Sequence, residues 1–151
     1  HNWRGIADYD DLGHAEAVQV SVPREHVAAF FRLYFSLFVN GERADYQDVG
    51  AEYRSILGIP FGMDSELLRD VEIANQKERA NQKLVRGRGS DPDTLGKRTV
   101  FVYDSNKFRF HQGELYHQFH DDMLEKYSAN YHNLQGVLVK SSKLKSTGCP
   151  E

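Results

Sequence analysis

Alternating and helical spacings of apolar residues divide the first part of the chain into two predicted elements. From about Glu16 to Val22 apolar and polar residues alternate, which predicts a half-buried strand. Pro23 follows, in the first turn of a helix predicted over about 24–38. The apolar residues that recur there with helical spacing are Val27, Phe30, Phe31, Tyr34, Phe35, Leu37 and Phe38. Because this helix is aromatic nearly all round, we expect it to be buried against a sheet or a partner.

The same spacings predict further strands and helices downstream. In chain order they are a strand at about 53–59, a helix at about 65–84 capped by Asp64 or Ser65, a loop at 86–96, a strand at 99–103, a short extended piece at 108–110, a helix at about 114–127 and a short apolar run at 136–139. Strands separated by helices predict an α+β fold, a two-layer α/β sandwich. We expect a single domain over residues 1–151, with irregular ends at about 1–12 and 140–151.

Composition narrows the class of protein. With 151 residues, 40% of them hydrophobic and 27% charged, the chain has ordinary globular usage. A net charge of -3 gives no broad basic face, so nucleic acid is not an expected partner. No apolar run approaches the roughly 20 residues that span a bilayer. The single cysteine, Cys149, excludes an internal disulfide framework. It fits redox chemistry with an outside partner or a reducing intracellular compartment, either the cytoplasm or an organelle such as a plastid or mitochondrion.

Two local patterns suggest metal or phosphate chemistry, and neither is specific. Glu114, His117 and His120 share one face of a predicted helix, but a di-iron site needs a second such motif and a zinc site needs ligands from a second element. We therefore predict no metal site. The Gly-rich loop 86–90 resembles a phosphate cradle only weakly, since it opens no obvious helix and follows no predicted strand.

A stronger constellation consists of polar residues at strand ends. Tyr9, Glu16, Asp48 and Tyr53 each lie at the edge of a predicted strand or in the adjoining loop. A rigid scaffold aims polar groups into a cleft from such positions. Taken alone, Glu16 is better explained as a solvated carboxylate in a turn. The surrounding residues decide between these interpretations.

Three blocks of sequence carry a resemblance to a known family. They are Gly13-His14-Ala15-Glu16-Ala17-Val18, then Asp48-x-Gly50-x-Glu52-Tyr53-Arg54-Ser55, then Phe110-x-x-Gly113-Glu114-x-Tyr116-His117-Gln118. In this order and spacing they resemble the A-type peptide methionine sulfoxide reductases, over roughly residues 9–120. The resemblance implies that family's ferredoxin-like sandwich, here without its first strand and helix.

The resemblance also implies roles for individual residues. In the family a cysteine thiolate attacks the sulfoxide sulfur, while a carboxylic acid kept protonated by an apolar site donates to the sulfoxide oxygen. By resemblance Glu16 is that acid, Tyr9 and Tyr53 are further donors, and Asp48 is a positioning carboxylate for the substrate. Cys149, near the C-terminus, is similar to the family's resolving cysteine, whose disulfide thioredoxin reduces. No bound cofactor is implied.

The chain departs from the family at the nucleophile. The family's Gly-Cys-Phe-Trp segment, upstream of all three blocks, does not occur in this sequence. One hypothesis is a domain that has lost its nucleophile and acts as an inactive structural or accessory subunit of a larger assembly with protein partners. The alternative is an active peptide-methionine (S)-S-oxide reductase whose nucleophile segment is absent from the chain given.

Overall fold

The computed structural model of this protein describes residues 13–115, 118, 119 and 126–147. They belong to two compact units, residues 1–110 and residues 111–151. Among the described residues, the first unit carries a three-stranded sheet, a two-stranded hairpin and two α-helices, and the second carries one α-helix. A mixed helix and strand content agrees with the α+β class that the sequence predicts.

The first unit is organised around a parallel three-stranded sheet. Its strands are β3 (Ile56–Ile59), β4 (Lys83–Arg86) and β5 (Thr99–Asp104), in the spatial order β3-β5-β4. The strand β5 pairs in register with Ile56–Ile59 on one side and with Lys83–Arg86 on the other. The last strand of the unit is therefore its central one, which fits its nearly continuous burial.

Two helices supply the rest of the core. They are α1 (Val27–Ser36), preceded by a 3₁₀ turn at Arg24–His26, and α2 (Leu68–Lys77). Both contribute to one cluster of buried residues, whose members are Phe31, Phe35, Leu57, Ile59, Val71, Ala74, Ala80, Val100 and Val102. The predicted aromatic helix and the predicted strand at 99–103 are thus confirmed. The apolar spacing of the helix and the continuous apolar run of the strand both reflect burial in this shared core.

A hairpin follows α1 and joins β1 (Phe38–Val39) to β2 (Glu42–Arg43). Asn40 and Gly41 form its two-residue turn with φ values of 53° and 79°, which suits an Asn-Gly pair. The carbonyl of Gly41 accepts a hydrogen bond from Gln82 Nε2 at 2.8 Å, and the carbonyl of Asn40 accepts one from Arg98 Nη2 at 2.8 Å. These bonds tie the turn to the segments that begin β4 and β5.

Several predicted boundaries were wrong. The helix expected to reach residue 84 ends at Lys77, because Asn75 exchanges two 2.8 Å hydrogen bonds with the backbone of Gln82 and turns the chain into β4. The strand expected from residue 53 begins at Ile56, after a 3₁₀ turn at Ala51–Tyr53. No strand forms at residues 108–110.

The alternating segment from Glu16 to Val22 also forms no strand in the part of the chain that the structure describes. Its one backbone hydrogen bond of note is from Glu16 N–H to the carbonyl of Glu52, at 2.8 Å. Alternation sets which side chains can face a core, but a strand needs a neighbouring backbone to pair with. The described residues provide none for this segment.

The second unit contains α3 (Ala129–Lys140), which includes the apolar run predicted at 136–139. Ser128 caps this helix by accepting a hydrogen bond from Tyr131 N–H at 3.3 Å. Gln135 Nε2 donates to the carbonyl of Leu115 at 2.6 Å. The helix predicted at 114–127 falls largely on positions outside the described residues. Among the described helices, none has the length and apolar character to cross a membrane.

We expect Gly87→Ala to destabilise the first unit by about 1–3 kcal/mol, the cost of overpacking a tight site. A β-carbon at Gly87 would lie 2.6 Å from ring atoms of Tyr103, which is buried. Gly58→Ala is the matched control, since a β-carbon there meets only Ser105 Cβ, at 3.9 Å. Urea unfolding monitored by circular dichroism compares the two, and equal midpoints would contradict the packing argument.

Candidate functional site

A buried arginine connects the segments that carry the predicted site residues. Arg54 is only 4% exposed and follows the 3₁₀ turn that holds Tyr53. A guanidinium has five N–H donors, and each hydrogen bond of Arg54 accounts for one of them. The acceptors are Tyr103 Oη at 3.0 Å and the carbonyls of Gly13 at 2.9 Å, His14 at 2.8 Å, Ala51 at 2.6 Å and Gly89 at 2.6 Å.

The charge of Arg54 is balanced through Tyr103 by a buried carboxylate. Tyr103 Oη donates a short hydrogen bond to Asp91 Oδ2, which also accepts from the N–H groups of Arg88 at 2.7 Å and Gly89 at 3.2 Å. Burial pushes the pKa of Asp91 upward, but these hydrogen bonds and the Arg54 charge hold it below its usual value. Burial and the Asp91 carboxylate raise the pKa of Tyr103 to about 12. Tyr103 is thus a neutral bridge between two charges.

A second arginine fixes the loop before Arg54. Arg43 donates short hydrogen bonds from its two terminal nitrogens to the carbonyls of Tyr53 and Asp48. One of these nitrogens also lies 3.8 Å from a carboxylate oxygen of Asp93, whose other oxygen accepts from Gly50 N–H at 3.0 Å. The hairpin and the loop after β4 therefore hold residues 48–53 from both sides.

Ser55, at the end of the same block, is held by a buried threonine. Thr94 Oγ1 accepts from Ser55 N–H at 2.8 Å and donates to Ser55 Oγ at 3.1 Å. Thr94 is almost completely buried. The Asp48–Ser55 block is thus fixed along its whole length by side chains of Arg43, Asp93 and Thr94.

Three of the predicted site residues come together. Tyr53 is partly buried, and its pKa is raised by that burial and by the negative charges of Glu16, Asp48 and Glu52. A tyrosine hydroxyl is protonated at neutral pH, so Tyr53 is a hydrogen-bond donor there. Asp48 is half-buried, while Glu16 lies at the surface and lacks the apolar surroundings that the family resemblance implies for its acid.

Two predicted site residues, Tyr9 and Cys149, lie outside the described residues. The same holds for His117 and His120 of the metal pattern. Among the residues that the structure describes, no group of three or more His, Cys, Asp or Glu side chains could hold a metal ion.

The Gly-rich loop 86–90 follows the strand β4, whereas the sequence predicted no strand before it. Two of its N–H groups, those of Arg88 and Gly89, already donate to the Asp91 carboxylate. This carboxylate takes the place that an anionic ligand of such a loop would occupy. The loop is therefore built to support Arg54 and Tyr103.

Sequence reasoning missed Arg43, Arg54, Asp91 and Thr94 as supports of the site. Only Arg54 carried a signal, because it belongs to the Tyr53-Arg54-Ser55 block that resembles the family. The other three lie outside every block, and their contacts depend on chain packing. In comparisons with known protein families, with curated proteins and with solved structures, this chain has no match.

We expect Arg54→Lys to lower the free energy of unfolding by about 3 kcal/mol, since an ammonium cannot reach acceptors spread over a planar fork and leaves buried carbonyls unpaired. Arg86→Lys is the control for the same substitution at an exposed pair, in which Arg86 contacts both oxygens of Asp64 at 2.9 and 3.0 Å. Urea unfolding at pH 7 measures both. A midpoint for Arg54→Lys that matches Arg86→Lys would contradict the central role of Arg54.

The lowered pKa of Asp91 predicts an acid-dependent contribution to stability. The ionised carboxylate stabilises the fold above the unfolded pKa of about 3.9, and the contribution disappears as pH falls through the lower folded value. Asp91→Asn should therefore cost about 2 kcal/mol at pH 7 and progressively less below about pH 4. Urea midpoints from pH 7 to pH 2.5 test this, with the exposed Glu72→Gln as control. A constant difference between Asp91→Asn and the unsubstituted protein across the series would refute it.

Proposed function

We propose that this domain is built on the plan of the A-type peptide methionine sulfoxide reductases and binds methionine sulfoxide beside Glu16, Asp48 and Tyr53. It does not reduce the sulfoxide by its own residues 1–151, and it acts as an accessory subunit of a larger assembly. The substrate class and these residue roles come from the resemblance of the three sequence blocks. The contacts between two of those blocks support them.

The observation that carries the proposal is the hydrogen bond from Glu16 N–H to the carbonyl of Glu52, at 2.8 Å. It joins the Gly-His-Ala-Glu block to the Asp-x-Gly-x-Glu-Tyr block, which lie far apart in sequence. Arg54 supports the same junction through the carbonyls of Gly13 and His14. A shared site for Glu16 and Tyr53 requires these two blocks to meet.

Tyr53 gives the site a chemical capacity that fits a sulfoxide. A sulfoxide oxygen is a strong acceptor with partial negative charge, so it pairs with a neutral donor. A tyrosine hydroxyl is protonated at neutral pH, and the carboxylates of Glu16, Asp48 and Glu52, whose charges act on Tyr53, repel anionic ligands. The geometry therefore favours a neutral, polar acceptor over a carboxylate or phosphate.

The inactive part of the proposal rests on thiol chemistry. Reduction begins with attack of a thiolate on the sulfoxide sulfur, and the chain contains one cysteine, Cys149. None of the described residues is a cysteine. An active reductase, whose nucleophile comes from a segment outside the residues given, is the competing hypothesis. Turnover separates the two.

We expect the 151-residue chain to form no methionine from a methionine-S-sulfoxide peptide, with either dithiothreitol or thioredoxin as reductant. Chromatographic detection of the reduced peptide measures this, beside a Cys149→Ser variant. Turnover by the unsubstituted chain that is lost in Cys149→Ser would contradict the hypothesis that the domain is inactive. A native protein whose intact mass exceeds 17.3 kDa and which does turn over substrate would establish the competing hypothesis.

Binding is tested separately with N-acetyl-methionine-S-sulfoxide methylamide, by calorimetry or chemical-shift titration. Tyr53→Phe should weaken binding about fivefold to tenfold, the effect of one lost hydrogen bond. Tyr46→Phe is the matched control, because Tyr46 lies in the same loop region and is 61% exposed. Equal affinities for the two variants would remove Tyr53 from the site, and absence of saturable binding would overturn the proposed function.

A further inference from the structure

Two segments of the first unit carry exposed cations beside exposed aromatic residues. One is the end of β4 with the loop after it, Arg86-Gly87-Arg88-Gly89, and the other follows β5 and is Lys107-Phe108-Arg109-Phe110. All four cations are exposed, and Phe108 and Phe110 are 40% and 45% exposed. Because β4 and β5 are parallel and paired, both segments leave the sheet at the same edge.

The two segments meet at Phe108. Its ring packs against the buried ring of Tyr103, with a centroid distance of 5.0 Å and an interplanar angle of 81°. A β-carbon at Gly89 would lie 3.4 Å from atom Cε1 of the Phe108 ring, so the ring also rests on the Gly-rich loop. The carbonyl of Gly89 accepts a hydrogen bond from Arg54 at 2.6 Å, which fixes the loop from beneath. The exposed side chains therefore project from a rigid support.

The ion pairs of this surface leave two guanidinium groups uncommitted. Arg86 is paired with Asp64 at 2.9 Å, and Lys107 lies 3.8 Å from the carboxylate at the end of β5. Neither Arg88 nor Arg109 forms an ion pair with any residue that the structure describes. The surface thus has an excess of positive charge, although the chain has a net charge of -3. A net charge describes the whole molecule and allows such a local excess.

Exposed aromatic rings between cations suit a ligand that has flat rings and regularly spaced negative charges. Single-stranded nucleic acid has both, because its bases stack on aromatic side chains while its phosphates contact Lys and Arg. An acidic polypeptide offers carboxylates but no regular series of flat rings. A DNA duplex keeps the faces of its bases inside its own stack. The combination of rings and cations therefore favours a single strand.

We propose that Arg88, Phe108, Arg109 and Phe110 form a binding surface for single-stranded nucleic acid. The two phenylalanine rings stack on bases, and the two guanidinium groups contact phosphates. Stacking of this kind tolerates every base, so the surface binds with little sequence preference. This inference goes beyond the proposed function and does not depend on it, because none of the four residues has a role in the sulfoxide site.

The test measures fluorescence anisotropy of a fluorescein-labelled oligothymidylate of about ten nucleotides, a length within the range that single-strand-binding surfaces cover. We expect saturable binding that weakens about sevenfold between about 50 and 200 mM salt, since each of two neutralised phosphates adds about −0.7 to the slope of log K against log salt. A duplex of the same length should bind at least about fivefold more weakly, because its bases cannot stack on the rings. Polyglutamate of equal charge should compete at least about fivefold less effectively than unlabelled oligothymidylate, for the same reason.

Two matched pairs of variants test the surface itself. Phe108→Ala and Phe110→Ala should each weaken oligothymidylate binding about fivefold or more, the loss of one stacked base. Phe61→Ala is their control, because Phe61 is 63% exposed and lies in a different turn, before α2. It should leave the affinity unchanged.

The second pair tests the charges. Arg88→Gln with Arg109→Gln should abolish the salt dependence and weaken binding about sevenfold or more at about 50 mM salt. Lys77→Gln with Arg79→Gln is the control, since it removes the same charge from two exposed residues at the end of α2, near the opposite edge of the sheet. The control should keep both the affinity and the salt dependence.

Three outcomes would overturn the proposal. They are absence of saturable binding, equal affinities of the arginine variant and its control, and a duplex or polyglutamate that binds as well as the single strand. The last result would assign the surface to polyanions in general, acidic proteins included. Should Phe108→Ala not fold, Phe110→Ala and the arginine variant decide. Binding of N-acetyl-methionine-S-sulfoxide methylamide should be the same in all these variants, so this inference and the proposed function can fail separately.

Discussion

The first unit depends on one buried cation and on where its five N–H groups point. Arg54 uses all of them on acceptors from different segments, four of which are main-chain carbonyls. A desolvated guanidinium is tolerable only when its donors are paired and its charge is balanced. Asp91 balances the charge of Arg54 through Tyr103. Two N–H groups of the Gly-rich loop 86–90 donate hydrogen bonds that hold the Asp91 carboxylate in place. The hydrogen bonds that pair this one arginine therefore also hold the segments of the candidate site in place.

The parts of the fold that were predictable from sequence are those whose spacing records burial. The aromatic periodicity of α1 and the apolar run of β5 gave elements close to the observed ones. The polar strand β4 was divided between the end of a predicted helix and the start of a predicted loop, because Lys83 and Arg86 face solvent and its pairing partner is Thr99–Asp104. The alternation at 16–22 is real, but pairing is a property of two strands and cannot be read from one.

The candidate site residues were predictable from the sequence, and the residues that support them were not. Asp48 and Tyr53 share a compact block, so their proximity follows from local sequence. Glu16 was grouped with them by its position at the end of a predicted strand and by the family resemblance. Arg43, Asp93 and Thr94 act on that block from elements distant in the chain. Nothing in their own neighbourhoods marks them. Supporting contacts of this kind form between segments that are distant in sequence and meet only in the folded chain.

The strand order also governs how this chain can fold as it is made. Because β5 lies between β3 and β4, those two earlier strands never pair with each other. Until residues 99–104 have been synthesised, the helices α1 and α2 and the hairpin strands β1 and β2 have native partners among the completed elements, while β3 and β4 wait with open edges. Non-local pairing of this sort is slow and exposes unpaired backbone on the way. The uncharged segment Ala17–Val22 precedes residues 99–104 in the chain, so a nascent chain is most vulnerable to misassociation before its central strand arrives.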